Sequence, residues 1–223
     1  MKFRAVLFDL GGTLIRTAEV PEIFRRILGI YGVKADFDRI LEAHKINEKE
    51  FDIEAGVAKS GMAFWHSWNR AIIRRLDVKR DVLFLARKIS ELWWDYADLQ
   101  FYPDVVDTLA QLRAKKVKTG IVTNGLREDY DRVLQKLGAA SYFDIAVGVD
   151  SCGKAKPDGE IFLYAVEKLQ VKPAEVIFVG DSVERDYEGS RKAGLKPLFI
   201  DRKGRDLNNV DSIMSLAEVL NYF

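Results

Sequence analysis

The chain has 223 residues, with 35 Lys plus Arg against 34 Asp plus Glu, for a formal charge of +1. A near-neutral balance without a polybasic arm or acidic tail argues against nucleic-acid and membrane-surface partners, which draw on clustered positive charge. The longest stretch free of Asp, Glu, Lys and Arg, 60–69, falls short of the roughly 18 apolar residues that cross a bilayer. At 48% hydrophobic and 11% aromatic, the composition supports one large or two smaller cores in a soluble protein. The single Cys152 cannot form an internal disulfide, and Met1 leads into a strand-like run with no signal-peptide segment, so a reducing cytoplasm is expected.

In chain order, the first element is a strand over 3–9, FRAVLFD. The segment 16–98 then shows helical periodicity only, as in Val82, Leu85, Ala86, Ile89, Trp93 and Tyr96, and holds all four Trp and both His. From 104 onward, helices and strands alternate. Apolar stripes at Val106, Leu109 and Leu112, at Tyr130, Val133, Leu134 and Leu137, and at Ile161, Phe162, Ala165, Val166 and Leu169 mark the helices. Strands are expected at 117–123, 144–149, 175–180 and 196–200. Such alternation implies right-handed crossovers and an α/β fold, with a parallel sheet covered by helices on both faces. The domain reading is a Rossmann-like core from 1–15 and 99–223, with an all-α domain inserted over 16–98. Trp65, His66 and Trp68 are too closely spaced to share one buried face, so one of them is expected to line a pocket.

In a parallel α/β sheet, ligands bind beyond the carboxyl ends of the strands. The first strand ends in Asp9-Leu10-Gly11-Gly12-Thr13 and the second in Thr123-Asn124-Gly125. The loop after the third reaches Lys156-Pro157-Asp158, and the fourth ends in Gly180-Asp181, with Asp186 five residues on. Taken singly, each has a bland reading: a turn former at Asp9, a helix cap at Thr123 and Asn124, a solvated Lys156, helix caps at Asp181 and Asp186. Together they suit phosphoryl chemistry. Asp9 can attack phosphorus, Asp9 and Asp181 suit Mg2+, a hard ion that prefers oxygen, and Thr123 and Lys156 can hold phosphoryl oxygens.

These four ordered motifs resemble those of the haloacid dehalogenase superfamily, and the resemblance spans nearly the whole chain. It implies a Rossmann-like core with a helical cap inserted after the first motif. It also implies a small phosphorylated substrate and an aspartyl-phosphate intermediate on Asp9. Asp9, the Gly11 carbonyl, Asp181 and Asp186 would serve Mg2+, while Thr123, Asn124 and Lys156 would bind phosphate.

One position departs from the pattern. Most family phosphatases carry a second Asp two residues after the nucleophile as general acid and base, and here that position is Gly11. Such a group typically contributes about 10²- to 10⁴-fold. Three outcomes stay open: a phosphatase selective for good leaving groups, a haloacid dehalogenase, and a phospholigand-binding protein with little turnover. A carbon-phosphorus-cleaving branch of the family uses a cap lysine, and Lys45 and Lys49 lie in the insert without a confirming pattern. The run Gly148 to Ala155 imitates a phosphate-binding P-loop, but Ala155 stands where the Mg2+-binding hydroxyl belongs and Pro157 comes too soon for the following helix. Cys152 inside it reads as a bystander.

Overall fold

A computed structural model describes residues 3–205, 207 and 209–223. Its central strand, β1 (Ala5–Phe8), is the uninterrupted apolar run AVLF and is buried throughout. It has to be apolar on both faces because it is paired on both edges, parallel to β4 (Lys118–Val122) and to β6 (Val176–Gly180). With β5 (Ile145–Val147), β7 (Lys196–Ile200) and β8 (Ser212–Ile213), these strands form a six-stranded sheet in the order β5-β4-β1-β6-β7-β8. The connections run to one side of β1 and then to the other. The carboxyl ends of β4, β1 and β6 therefore meet at the switch point of the sheet.

The chain divides into two compact units, one made of residues up to Arg16 and from Gln100 onward, the other Thr17–Leu99. In the first unit, the two-residue strands β2 (Ile15–Arg16) and β3 (Gln100–Phe101) pair antiparallel where the chain leaves and re-enters. The helices that follow in this unit are α6 (Val105–Ala114), α7 (Arg127–Lys136), α8 (Val149–Cys152), α9 (Gly159–Leu169) and α10 (Gly189–Lys192). α9 opens on Asp158, whose side chain caps the Glu160 N–H, and lays Ile161, Phe162, Ala165, Val166 and Leu169 against Ala5, Leu7, Val122 and Phe178. Phe162 and Phe178 meet edge to face with ring centroids 4.9 Å apart. α6 corrects one expectation. Val106 is 39% exposed, and Val105 takes its place beside Leu109 and Leu112. Steps of four and three hold a residue on one face of a 3.6-residue helix, whereas two steps of three drift around it.

The second unit is entirely helical: α1 (Val20–Ile30), α2 (Phe37–Glu50), α3 (Ile53–Ser60), α4 (Met62–Arg75) and α5 (Val82–Tyr96). Asp36, Asp52 and Asp81 cap α2, α3 and α5 through their side chains. Trp68 is buried with Phe64, and Phe51 and Trp65 pack on both; Trp65 and His66 are half-buried. Lys45 and Lys49 are exposed on α2. No helix among the described residues is long and apolar enough to cross a membrane.

Candidate active site

Asp9 follows β1 directly and is only 8% exposed. Its N–H donates to the Val179 carbonyl, extending the β1–β6 ladder by one residue and fixing where the side chain emerges. One carboxylate oxygen accepts from Lys156 Nζ at 2.6 Å and the other from the Thr13 hydroxyl at 3.1 Å. Lys156 comes from the loop between α8 and α9 and is 2% exposed. Its Nζ also reaches Asp186 Oδ1 at 2.7 Å and lies 5.5 Å from the centre of the Phe178 ring.

Asn124, expected to bind phosphate, spends its side-chain amide on the Lys156 backbone. Its Oδ1 accepts the Lys156 N–H at 2.7 Å and its Nδ2 donates to the Lys156 carbonyl at 2.9 Å. Beside it, the Thr123 hydroxyl accepts the Gly125 N–H at 3.1 Å, which leaves its own proton to donate elsewhere.

β6 supplies the other two carboxylates. After it the chain makes one π-helical turn, Val183–Glu188, a rare geometry that displaces side chains from α-helical positions. Ser182 caps that turn, and Asp186 accepts the Ser182 N–H at 3.0 Å while pointing at Lys156. Asp181 is half-buried and packs against Gly12. Gly12 has φ +78°, and a Cβ there would overlap the Asp181 carboxylate, so glycine is required twice over. Gly11 lies in the same loop, which is closed by Gly12 N–H to Ile15 O at 2.9 Å and Leu14 N–H to Leu10 O at 3.0 Å. It is exposed, has no positive φ, and a Cβ there meets nothing within 4 Å.

The electrostatics follow from this crowding. Burial pushes the Asp9 carboxyl up to about 6, with Asp186 and Asp181 adding to the rise and Lys156 opposing it. Burial likewise raises Asp181, helped by Asp186. Burial alone would lower Lys156, but Asp186 and Asp9 outweigh it and hold the ammonium above its ordinary value. Asp9, Asp181 and Asp186 each place an oxygen so that all three lie within 4.8 Å of one another. Asp9 and Asp186 share the one buried ammonium of Lys156, and Arg185 and Arg205 also act on Asp181, yet three carboxylates this close still favour a divalent cation among them. An all-oxygen donor set suits Mg2+.

The P-loop imitation does no such work. Lys154 pairs on the surface with Asp158 at 3.2 Å and Glu160 at 3.5 Å, and Asp150 accepts the Arg127 N–H at the start of α7. The residue that sequence reasoning left without a role is Thr13, a fully buried hydroxyl on Asp9. A polar residue four positions after Asp9, inside an otherwise apolar run, was the available signal.

Comparison with known proteins places the chain in a family. A family described as "Hydrolase: haloacid dehalogenase-like hydrolase" matches residues 3–194. The glyceraldehyde 3-phosphate phosphatase of Methanopyrus kandleri is 30% identical over 204 residues, covering 91% of this chain and 85% of that protein. The phosphoglycolate phosphatase of Nitrosospira multiformis is 28% identical over 95% of this chain and 90% of its own length. Among solved structures, the HAD-hydrolase YfnB of Bacillus subtilis superposes with a TM-score of 0.82 at 20% identity, covering 99% of this chain and 98% of that one. A carboxylate-lysine cluster at the switch point of a parallel sheet and a family match across most of the sequence lead to one conclusion: the chain belongs to the haloacid dehalogenase-like hydrolase family and is an enzyme of its phosphatase type.

Proposed function

We propose that the protein hydrolyses a small phosphorylated molecule through an aspartyl phosphate on Asp9, with Mg2+ held by Asp9, Asp181, Asp186 and the Gly11 carbonyl. The observation that carries this reading is the trio of carboxylates within 4.8 Å around one buried lysine. When bound, Mg2+ would supply positive charge that offsets the repulsion between two anions, the nucleophile and the phosphate.

The rest is done by side chains of the chain itself. Lys156 and Thr13 hold the two oxygens of Asp9, so one lone pair can be directed at phosphorus without rotation of the carboxylate. Attack forms the Asp9 oxygen-phosphorus bond and breaks the bond to the leaving oxygen. Thr123, through its free hydroxyl proton, and Lys156 stabilise the equatorial oxygens as charge builds. Water then attacks the acyl phosphate, releasing inorganic phosphate and regenerating Asp9.

With no side chain at Gly11, the leaving oxygen departs without an internal proton donor, which favours aryl and acyl phosphates over alkyl esters. The relatives suggest the size class, since they are named for glyceraldehyde 3-phosphate and phosphoglycolate. A haloacid dehalogenase, which needs no cation, would leave the mutual repulsion of Asp9, Asp181 and Asp186 unrelieved.

The test compares para-nitrophenyl phosphate with an alkyl phosphate, with and without Mg2+, for the native protein and Gly11→Asp. A Cβ placed at Gly11 meets nothing within 4 Å. Gly11→Asp is expected to gain up to about 10²- to 10⁴-fold on the alkyl ester, and far less on the aryl ester. Metal-independent turnover of a haloacid, with none on either phosphate, would refute the reading.

A further inference from the structure

The loop that carries Asp9 is gripped from behind by residues with no part in the chemistry described above. The Thr13 carbonyl accepts Arg202 Nη2 at 2.9 Å, one residue's width from the Thr13 hydroxyl that orients Asp9. Arg202, just past β7, is 12% exposed in its side chain and lies over the Tyr102 ring at 4.1 Å. Its Nη1 pairs with Asp104 Oδ2 at 2.7 Å. The same Asp104 oxygen takes the Ser215 hydroxyl at 2.9 Å and the Leu216 N–H at 2.7 Å. Three segments distant in sequence are thus tied to one carbonyl of the nucleophile loop.

The pair is not arranged for maximum stability. A guanidinium and a carboxylate bind best as a two-pronged fork. Here Arg202 spends one prong on Asp104 and turns the other to Thr13, leaving Arg202 Nε and Asp104 Oδ1 buried without partners among the described residues. That sacrifice makes sense if the aim of the guanidinium, and not the ion pair, is what the arrangement secures.

We infer that Arg202 is a positioning residue for Asp9, acting through Thr13, with Asp104 setting the direction of its fork. The inference rests on the proposed role of Asp9 as nucleophile. A displacement of about 1 Å at a reacting group can cost about 10²-fold in rate.

The test uses Arg202→Met and the double variant Arg202→Met/Asp104→Asn, which removes the orphaned charge along with the guanidinium. Turnover of para-nitrophenyl phosphate with Mg2+, melting temperature, and hydrogen exchange at the Leu14 and Ile15 amides, both bonded to Leu10 O at 3.0 Å, are measured together. Arg202→Met is expected to lower the melting temperature and to cut kcat about 30- to 100-fold, with KM changed less than about threefold. The double variant should recover the melting temperature while kcat stays at least about tenfold down, and loop exchange should accelerate while β6 amides keep native rates. Recovery of kcat and native loop exchange in the double variant would overturn the inference and make the pair merely structural. Absence of turnover in the native protein would instead overturn the proposed function. The exchange rates then decide the positioning claim alone, with unchanged loop exchange refuting it.

Discussion

The two units solve the burial of polar groups in opposite ways. In the helical unit the buried polar residues are the neutral amides Asn47 and Asn69. Asn47 donates to the Trp68 carbonyl at 2.9 Å and accepts from Arg75, and Asn69 donates to the Ser90 hydroxyl at 3.0 Å. In the α/β unit the buried set includes Asp9, Lys156, Asp186 and Asp201. Neutral amides are satisfied by a few hydrogen bonds and stabilise a packing arrangement, whereas buried charges cost more than they return unless something else requires them. The contrast teaches where the chemistry lies before any ligand is considered.

Breaking the charged network should have the largest effect. Lys156→Met leaves the buried carboxylates of Asp9 and Asp186 without their paired cation and should destabilise the α/β unit by about 3–5 kcal/mol in EDTA, measured by urea denaturation, with loss of Mg2+-dependent turnover. Removing a neutral amide should cost less. Asn47→Leu removes the amide that bridges the Trp68 carbonyl and Arg75 and should cost about 0.5–1.5 kcal/mol, read as faster hydrogen exchange in α2 and α4 while β1 and β6 keep native rates. Equal losses in the two variants would erase the distinction.

The smallest effect is a matter of pH. His44 sits in the helical unit against Trp68, 5.4 Å between ring centroids, with Nδ1 buried and without a partner among the described residues and Glu48 facing Nε2 at 3.7 Å. Burial lowers its pKa from 6.5, Glu48 opposing. The unfolded chain therefore takes the proton first, so the stability His44 contributes is complete above pH 6.5 and is lost as pH falls through the lower folded value. His44→Phe should flatten the decline in melting temperature of the helical unit on acidification from neutral pH. An unchanged slope would place the titrating group elsewhere.

The same contrast explains what could be read from sequence. The strands over 3–9, 117–123, 144–149, 175–180 and 196–200 were legible because sheet strands in such a fold concentrate apolar and β-branched residues, and Asp9, Thr123 and Asp181 because polar residues ending such runs stand out. β2, β3 and β8 are two residues each, too short for any period to register. The side-chain duty of Asn124 was hidden because its partner is a backbone group 32 residues away. Arg202 was hidden because its target is a carbonyl 189 residues away, and backbone acceptors carry no residue identity. In the helical unit, the crowding of Trp65, His66 and Trp68 suggested a pocket residue, yet Trp68 went into the unit's own core. Aromatic identity alone does not separate core from lining.

That the buried charges of Lys156 and Asp186 serve to make Asp9 a nucleophile toward phosphorus has one direct test. Native protein turning over para-nitrophenyl phosphate with Mg2+ is quenched in acid, and the base-labile phosphate is located by peptide mass spectrometry. The account predicts phosphate on the peptide bearing Asp9, absent in Asp9→Asn along with turnover. Turnover with phosphate on another residue or on none, or Asp9→Asn protein as active as native, would contradict it.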